Sequence, residues 1–280
     1  NAILVAFLNE NYNHQIDFID WLLFTLPLAT LILISLWLYF SFNIKNDTKK
    51  LELNFILKKF KKLGDLSNAE KVSGFVIILT GLLWIFKSKL NTLFGINLTD
   101  SGIAITCAFL FFIIPYDKKY NVLLGWDWFK KIPWDILILF GGGLSMASLV
   151  VSTGLAKDLS ENLNYIKNYE ILVIIFVVSL FTSLITEFTS NTATTFLFLP
   201  IFASFAAETN INIILITLPM VLAASCAFMM PISTPPNAIA YSSKKFTIKF
   251  MVKTGIYLNI ISIIIITFYI NYFQTALFKV

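Results

Sequence analysis

The chain has 280 residues, 58% of them hydrophobic and 13% charged, with a mean hydropathy of +0.80. That profile excludes a soluble globule built on one core and points to helical membrane spans. The net charge of +5 comes from lysine without arginine; it fits a lysine bias on cytoplasmic membrane loops and gives no reason to invoke a nucleic-acid partner.

The chain opens Asn1-Ala2-Ile3, and the same three residues return at Asn237-Ala238-Ile239 behind Thr-Pro-Pro. This echo leads us to expect a chain that is N-terminally truncated and lacks an earlier copy of one repeated unit. After a short polar loop at 9–17, residues 19–42 are long enough to cross a bilayer, with Pro27 as a kink. Lysines cluster from Lys45 to Lys62, and Leu51, Phe55, Ile56 and Leu63 take the spacing of an amphipathic helix. Such a helix lies on the bilayer surface or forms a solvated linker. Ser67 with Glu70 three residues on is a capping box that announces the next helix.

A second span begins at 72–86, with Lys87 and Lys89 expected to snorkel at its end. Residues 102–115 make a short third span. The loop 117–133 mixes lysine with Trp126 and Trp128, the composition of a membrane interface. A further span is expected at 134–156, where Gly141-Gly142-Gly143 permits close packing or a hinge. Cys107 and Cys226 sit in apolar surroundings and read as buried small residues, not a disulfide. His14 is the one histidine, so a zinc site is not expected.

Residues 171–207 are too long for one span and short for two. Near their middle lies Thr186-Glu187-Phe188-Thr189-Ser190-Asn191-Thr192-Ala193-Thr194-Thr195. A polar run inside membrane-grade hydrophobicity is costly unless it lines a cavity, so it marks a functional site. We expect a re-entrant hairpin, two half-helices that dip in and return to the same side. Residues 214–241 hold a second polar knot, Pro231-Ile232-Ser233-Thr234-Pro235-Pro236-Asn237. Two prolines cannot continue a helix; Thr234 reads as an N-cap and Pro235 as the first residue of a new half-helix. A last span is expected at about 255–273. Lysine-rich loops at 43–71, 116–131 and 243–253 should be cytoplasmic, which places the open end of the hairpin and the C-terminus outside.

Half-helix N-termini at the midplane carry free N–H groups and a positive dipole end, which suits an anion. Hydroxyls and freed carbonyls suit sodium, a hard cation. Ser190, Asn191 and Thr192 have the donors for a carboxylate, while Thr186, Asn191 and carbonyls near Ser233 have the oxygens for sodium. Isolated Ser or Thr would instead bond back to their own helix. Glu187 either tunes the cation site or holds the hairpin through backbone N–H groups and lysine; the second role is favoured.

These residues resemble the divalent anion/sodium symporter family, the sodium-coupled dicarboxylate, citrate and sulfate transporters. The likeness rests on 186–194, on 228–239, and on Ile132-Pro133-Trp134-Asp135 running into Phe140-Gly141-Gly142-Gly143. It implies an all-α integral membrane protein, an inverted-repeat secondary transporter with a re-entrant hairpin and a broken helix, working as an elevator and as a homodimer. It implies substrate contacts at Ser190, Asn191, Thr192, Thr234 and Pro235, and a sodium ion near Thr186, Thr189, Asn191 and Ser233. Ser233 stands where such loops often carry a smaller residue. The implied organisation is the end of a first repeat at 1–42, a linker at 43–71, and a second repeat at 72–280 with the broken helix at about 214–243. The family's first Ser-Asn-Thr hairpin is absent from these residues, so this chain is not expected to transport as given. The expected function is sodium-coupled symport of a small dianion or tricarboxylate across a bacterial inner membrane; a sodium-independent exchanger of the same fold is the alternative. No His-rich, Ser–His or paired-carboxylate arrangement supports an enzyme.

Overall fold

The computed structural model describes residues 1–12, 16–43, 53–116, 121–131 and 168–277, with isolated positions between 134 and 158. The expected span at 134–156, with its Ile132-Pro133-Trp134-Asp135 and triple-glycine motifs, lies largely outside the described residues. The described residues are helical, without a strand: α1 (Ala2–Tyr12), α2 (Phe18–Asn43), α3 (Leu53–Leu63), α4 (Asn68–Phe94), α5 (Asp100–Ile113), a 3-10 turn (Trp126–Lys131), α6 (Ile171–Thr186), α7 (Asn191–Thr209), α8 (Ile213–Ala224), α9 (Pro235–Ser242) and α10 (Ile248–Leu277). Four of them are long and apolar enough to cross a membrane: α2, α4, α7 and α10.

The chain forms two compact units. One comprises 17–22 and 42–134. Here the Ser67–Glu70 box caps α4 as its sequence predicts, with Ser67 Oγ accepting from Glu70 N. Val76, Ile103 and Cys107 form the core between α4 and α5. Lys87 does not snorkel. It bridges Asp17 at 2.7 Å and Asp100 at 3.0 Å, and its side chain is only 12% exposed. Two carboxylates within reach hold an ammonium more firmly than a distant interface does. The lysine-rich α3 is a helix as its spacing predicts, with Leu57, Phe60 and Leu63 all exposed.

The other unit comprises 1–16, 23–41 and 135–280. Its centre is α8, apolar all round and buried along almost its whole length, the pattern of a helix with no free face. It packs against α6, α7 and α10. Around it the usual arrangement is inverted. Ser179, Thr182, Ser183, Thr186, Glu187, Thr194, Thr195 and Thr217 are buried, while Leu23, Leu33, Trp37, Phe181, Leu184, Leu197, Ile260 and Phe268 are exposed. An apolar exterior over a core that also takes in hydroxyls and a carboxylate is what lipid, rather than water, selects.

Residues 171–207 fall into two helices interrupted at the polar run: α6 and α7 meet at a turn over 187–190, and Phe181 stacks edge-on against Phe198. They run about 24 and 28 Å at 1.5 Å per residue. Residues 214–241 are broken as expected, into α8, an irregular segment at 225–234 and α9. The last helix begins earlier than its apolar stretch, at Ile248, with Thr247 Oγ1 accepting from Phe250 N at 3.2 Å. Lys249 and Lys253 belong to its first turns instead of to a loop; lysine is a good helix former. Both cysteines are free and buried.

Candidate functional site

The polar run folds as the turn between α6 and α7. Ser190 is the N-cap of α7, its hydroxyl oxygen accepting from Ala193 N at 3.1 Å. That bond uses a lone pair and leaves the hydroxyl proton for another partner. Thr194 N is taken by Ser190 O, so among the described residues the backbone N–H groups of Asn191 and Thr192 in this first turn are left without a partner. Thr192 makes no side-chain bond among the described residues and is half-buried.

Behind the turn, Thr186 is fully buried at the end of α6. Its Oγ1 lies 2.7 Å from Asn191 Oδ1 and 3.0 Å from the carbonyl oxygen of Ala224, the last residue of α8. One hydroxyl proton therefore faces two acceptors, and one acceptor is left in want of positive charge. The same bond turns the Asn191 amide nitrogen away from Thr186, with no protein partner among the described residues. Thr189 bonds within its own turn, to Ile185 O at 3.0 Å and to the Thr194 hydroxyl. Of the four residues predicted around sodium, the structure thus brings Thr186 and Asn191 into direct contact, while the Thr189 hydroxyl bonds to Ile185 O and Thr194.

The Ser233 side chain bonds within its own segment. Its hydroxyl donates to Met230 O at 2.6 Å and takes Asn237 Nδ2 at 3.2 Å. Asn237 also donates to Ala227 O at 2.9 Å and Met230 O at 3.1 Å, so one amide braces the whole irregular segment. Sequence reading placed Asn237 in the knot without a task; the brace is what it does.

Thr234 caps α9 and Pro235 opens it, as predicted, with Thr234 Oγ1 accepting from Asn237 N at 3.3 Å. One expectation is narrowed here. Among the described residues the first turn of α9 offers an anion no free N–H group: Pro235 and Pro236 have none, Asn237 N is held by Thr234 Oγ1, and Ala238 N by Thr234 O. The two helix ends are therefore unequal. The first turn of α7 supplies backbone donors, while the first turn of α9 supplies its dipole and the outward side of the Thr234 hydroxyl.

Glu187 joins the two knots. Its side chain is fully buried in the turn. Oε1 accepts from Phe228 N at 2.8 Å and Met229 N at 3.0 Å; Oε2 accepts from Met229 N at 3.1 Å and Met230 N at 2.9 Å. A fifth bond comes from Asn259 Nδ2 of α10, at 2.7 Å. The carboxylate thus replaces the helical partners that the N–H groups of 228–230 lack. The backbone half of the favoured role is present; no lysine pairs with Glu187 among the described residues. Asn259 was missed in sequence, though an amide in the middle of an apolar span is itself a signal.

Comparison with known proteins is consistent with this geometry. The sodium-dependent dicarboxylate transporter SdcS of Staphylococcus saprophyticus is 36% identical over 262 residues, 91% of this chain and 50% of that protein. The SdcS of Staphylococcus aureus is 36% identical over 270 residues, 94% of this chain and 52% of that protein. The chain spans about half the length of the curated relatives it matches. Those relatives are transporters, which sets aside the membrane-enzyme reading. With four helices apolar enough to span, it is a multi-pass membrane protein. The family model described as the sodium:sulfate symporter transmembrane region matches residues 1–280, and the chain belongs to that family.

Proposed function

We propose that the chain supplies one half-site of a sodium-coupled transporter for a small dianion, a dicarboxylate, citrate or sulfate. The observation that carries this is the turn at 186–192. On one side it gathers the oxygens of Thr186, Asn191 and Ala224 around a single proton; on the other it leaves N–H donors at Asn191 and Thr192. Oxygens in surplus suit sodium, and unpaired donors at a helix N-terminus suit an anion. Asn191 belongs to both sets, so sodium at its Oδ1 aligns its amide for the anion. Binding of one then favours the other, which is the physical content of symport.

The depth of the turn favours a re-entrant hairpin. The segment 213–242 must itself cross the membrane, and α8 covers about 18 Å before it breaks. Glu187 bonds to that break, so the turn lies at the same depth, near the bilayer midplane. Were α6 and α7 two full crossings, the turn would instead reach the aqueous face. Lysine at 43–71, at 116–131 and at 243–253, where the last two lysines sit in the first turns of α10, favours a cytoplasmic side for these stretches. We further read the chain as part of an inverted-repeat, homodimeric, elevator-type carrier of the bacterial inner membrane, on the resemblance of its motifs. Uptake of labelled succinate, citrate and sulfate into proteoliposomes tests the reading, using the complete transporter that contains this chain. Uptake that requires sodium supports it; uptake indifferent to sodium replaces symport by exchange.

A further inference from the structure

Two residues of α10 bear on the irregular segment at 225–234. The first is Gly255. A Cβ at this position would stand 2.5 Å from Met229 Cα, 2.5 Å from Phe228 O and 2.6 Å from Met229 N. All three are backbone atoms, which cannot swing aside as a side chain does. The α10 backbone is therefore pressed against the very residues whose N–H groups Glu187 collects. The second is Asn259, one turn further along the same face. It is buried and gives its Nδ2 to Glu187 Oε1 at 2.7 Å. Gly255 thus sets how close the segment comes, and Asn259 fixes the carboxylate that holds it.

We infer that Gly255 and Asn259 are positioning residues that set the sodium affinity of the turn without touching the ion. The inference rests on the sodium-coupled reading above. The chain of contacts is short. Thr186, which faces the surplus oxygens, is the residue before Glu187 in sequence. Ala224, whose carbonyl faces the same hydroxyl, lies four residues before Phe228. A carboxylate that tilts by a rotamer moves both ends of that oxygen set at once. Outer groups that orient ligand-bearing residues commonly change cation affinity by about 10–100-fold when removed. Asn259 carries the donor that fixes the tilt, since the backbone donors at 228–230 move with the segment itself.

The test measures sodium activation of succinate uptake for the complete transporter in proteoliposomes, with Gly255→Ala, Asn259→Ala, Asn259→Ser and the control Ile260→Ala. Ile260 lies on α10 with its side chain half exposed on the outer side. Asn259→Ala is expected to raise the half-activating sodium concentration about 10-fold, with the rate at saturating sodium within about twofold of the parent. A purely structural role would lower that rate and leave the sodium midpoint in place. Gly255→Ala is expected to shift the midpoint further, and Ile260→Ala not at all. Hydrogen exchange of the 228–230 amides gives a second measure that does not depend on transport; it should quicken in Asn259→Ala and Asn259→Ser. If the parent requires sodium and Asn259→Ala keeps the parent midpoint, whether or not exchange quickens, the inference is overturned alone. If the parent takes up succinate without sodium, the symport reading fails and takes this one with it.

Discussion

Replacing Glu187 by glutamine removes one charge and exchanges one acceptor for a donor. In the parent, five hydrogen bonds converge on the carboxylate from four donors. Glutamine keeps one oxygen, which serves Phe228 N and Asn259 Nδ2. Its NH2 group then faces Met230 N, donor against donor. An unsatisfied buried donor costs about 1–3 kcal/mol, and bonds to a charged group contribute about 1.5–3 kcal/mol. Glu187 is buried while Phe228, Met229 and Met230 are half-buried, so water offsets only part of the lost bonding. We expect a net loss of about 2–4 kcal/mol, less than the sum because the segment relaxes. At about 2–4 °C per kcal/mol for a domain of this size, the unfolding midpoint should fall by roughly 4–16 °C. Thermal unfolding of the detergent-solubilised complete transporter measures this. Sodium activation measured on the same preparation reports whether the loosened segment also weakens the ion site. A variant that unfolds at the parent temperature would refute the claim that this carboxylate holds the 228–230 backbone.

Thr186→Val removes the hydroxyl that faces Asn191 Oδ1 and Ala224 O; it should raise the half-activating sodium concentration about 10-fold at little cost in volume, read from the sodium dependence of uptake. Pro235→Ala should leave the succinate KM within about twofold of the parent, because the proline offers the substrate no N–H to lose; a large increase would show a packing contact at the α9 end. Lys87→Met leaves Asp17 and Asp100 facing one another. It should lower stability by about 1–2 kcal/mol, less than a fully buried pair would lose because both carboxylates are over a third exposed. Adding Asp100→Asn should restore part of the loss in thermal unfolding.

Where the fold was readable from sequence, the signal was local. The Ser67–Glu70 box, the Thr234 cap and Pro235 at the first turn all act within four residues, and the helices begin there. The turn at 187–190 was readable because a polar run interrupts an apolar one, which needs no knowledge of the partner. The start of α10 was not, since charge alone at Lys249 and Lys253 looks like a loop, while helix formation there depends on the Thr247 cap and on packing further on. The partners of Lys87 were equally hidden: Asp17 lies at the start of another helix, far away in sequence.

In the site the division runs between side chains and backbone. Ser190, Asn191 and Thr192 announce donors by residue type, and the structure puts them at a helix N-terminus. The Ala224 carbonyl and the N–H groups of Phe228, Met229 and Met230 are backbone groups, common to every sequence, so nothing marks them as the partners of Thr186 and Glu187. Residue type also misled at α9, where a half-helix start suggested free N–H groups and the two prolines removed them.

Asn191 is the residue on which the account depends, because the proposal assigns its oxygen, which faces Thr186, to the cation and its nitrogen to the anion. The most direct measurement is succinate uptake into proteoliposomes by the complete transporter and its Asn191→Ala variant, with and without an inward sodium gradient. The account predicts sodium-dependent uptake in the parent and none above background in the variant. Undiminished sodium-driven uptake by Asn191→Ala would contradict it.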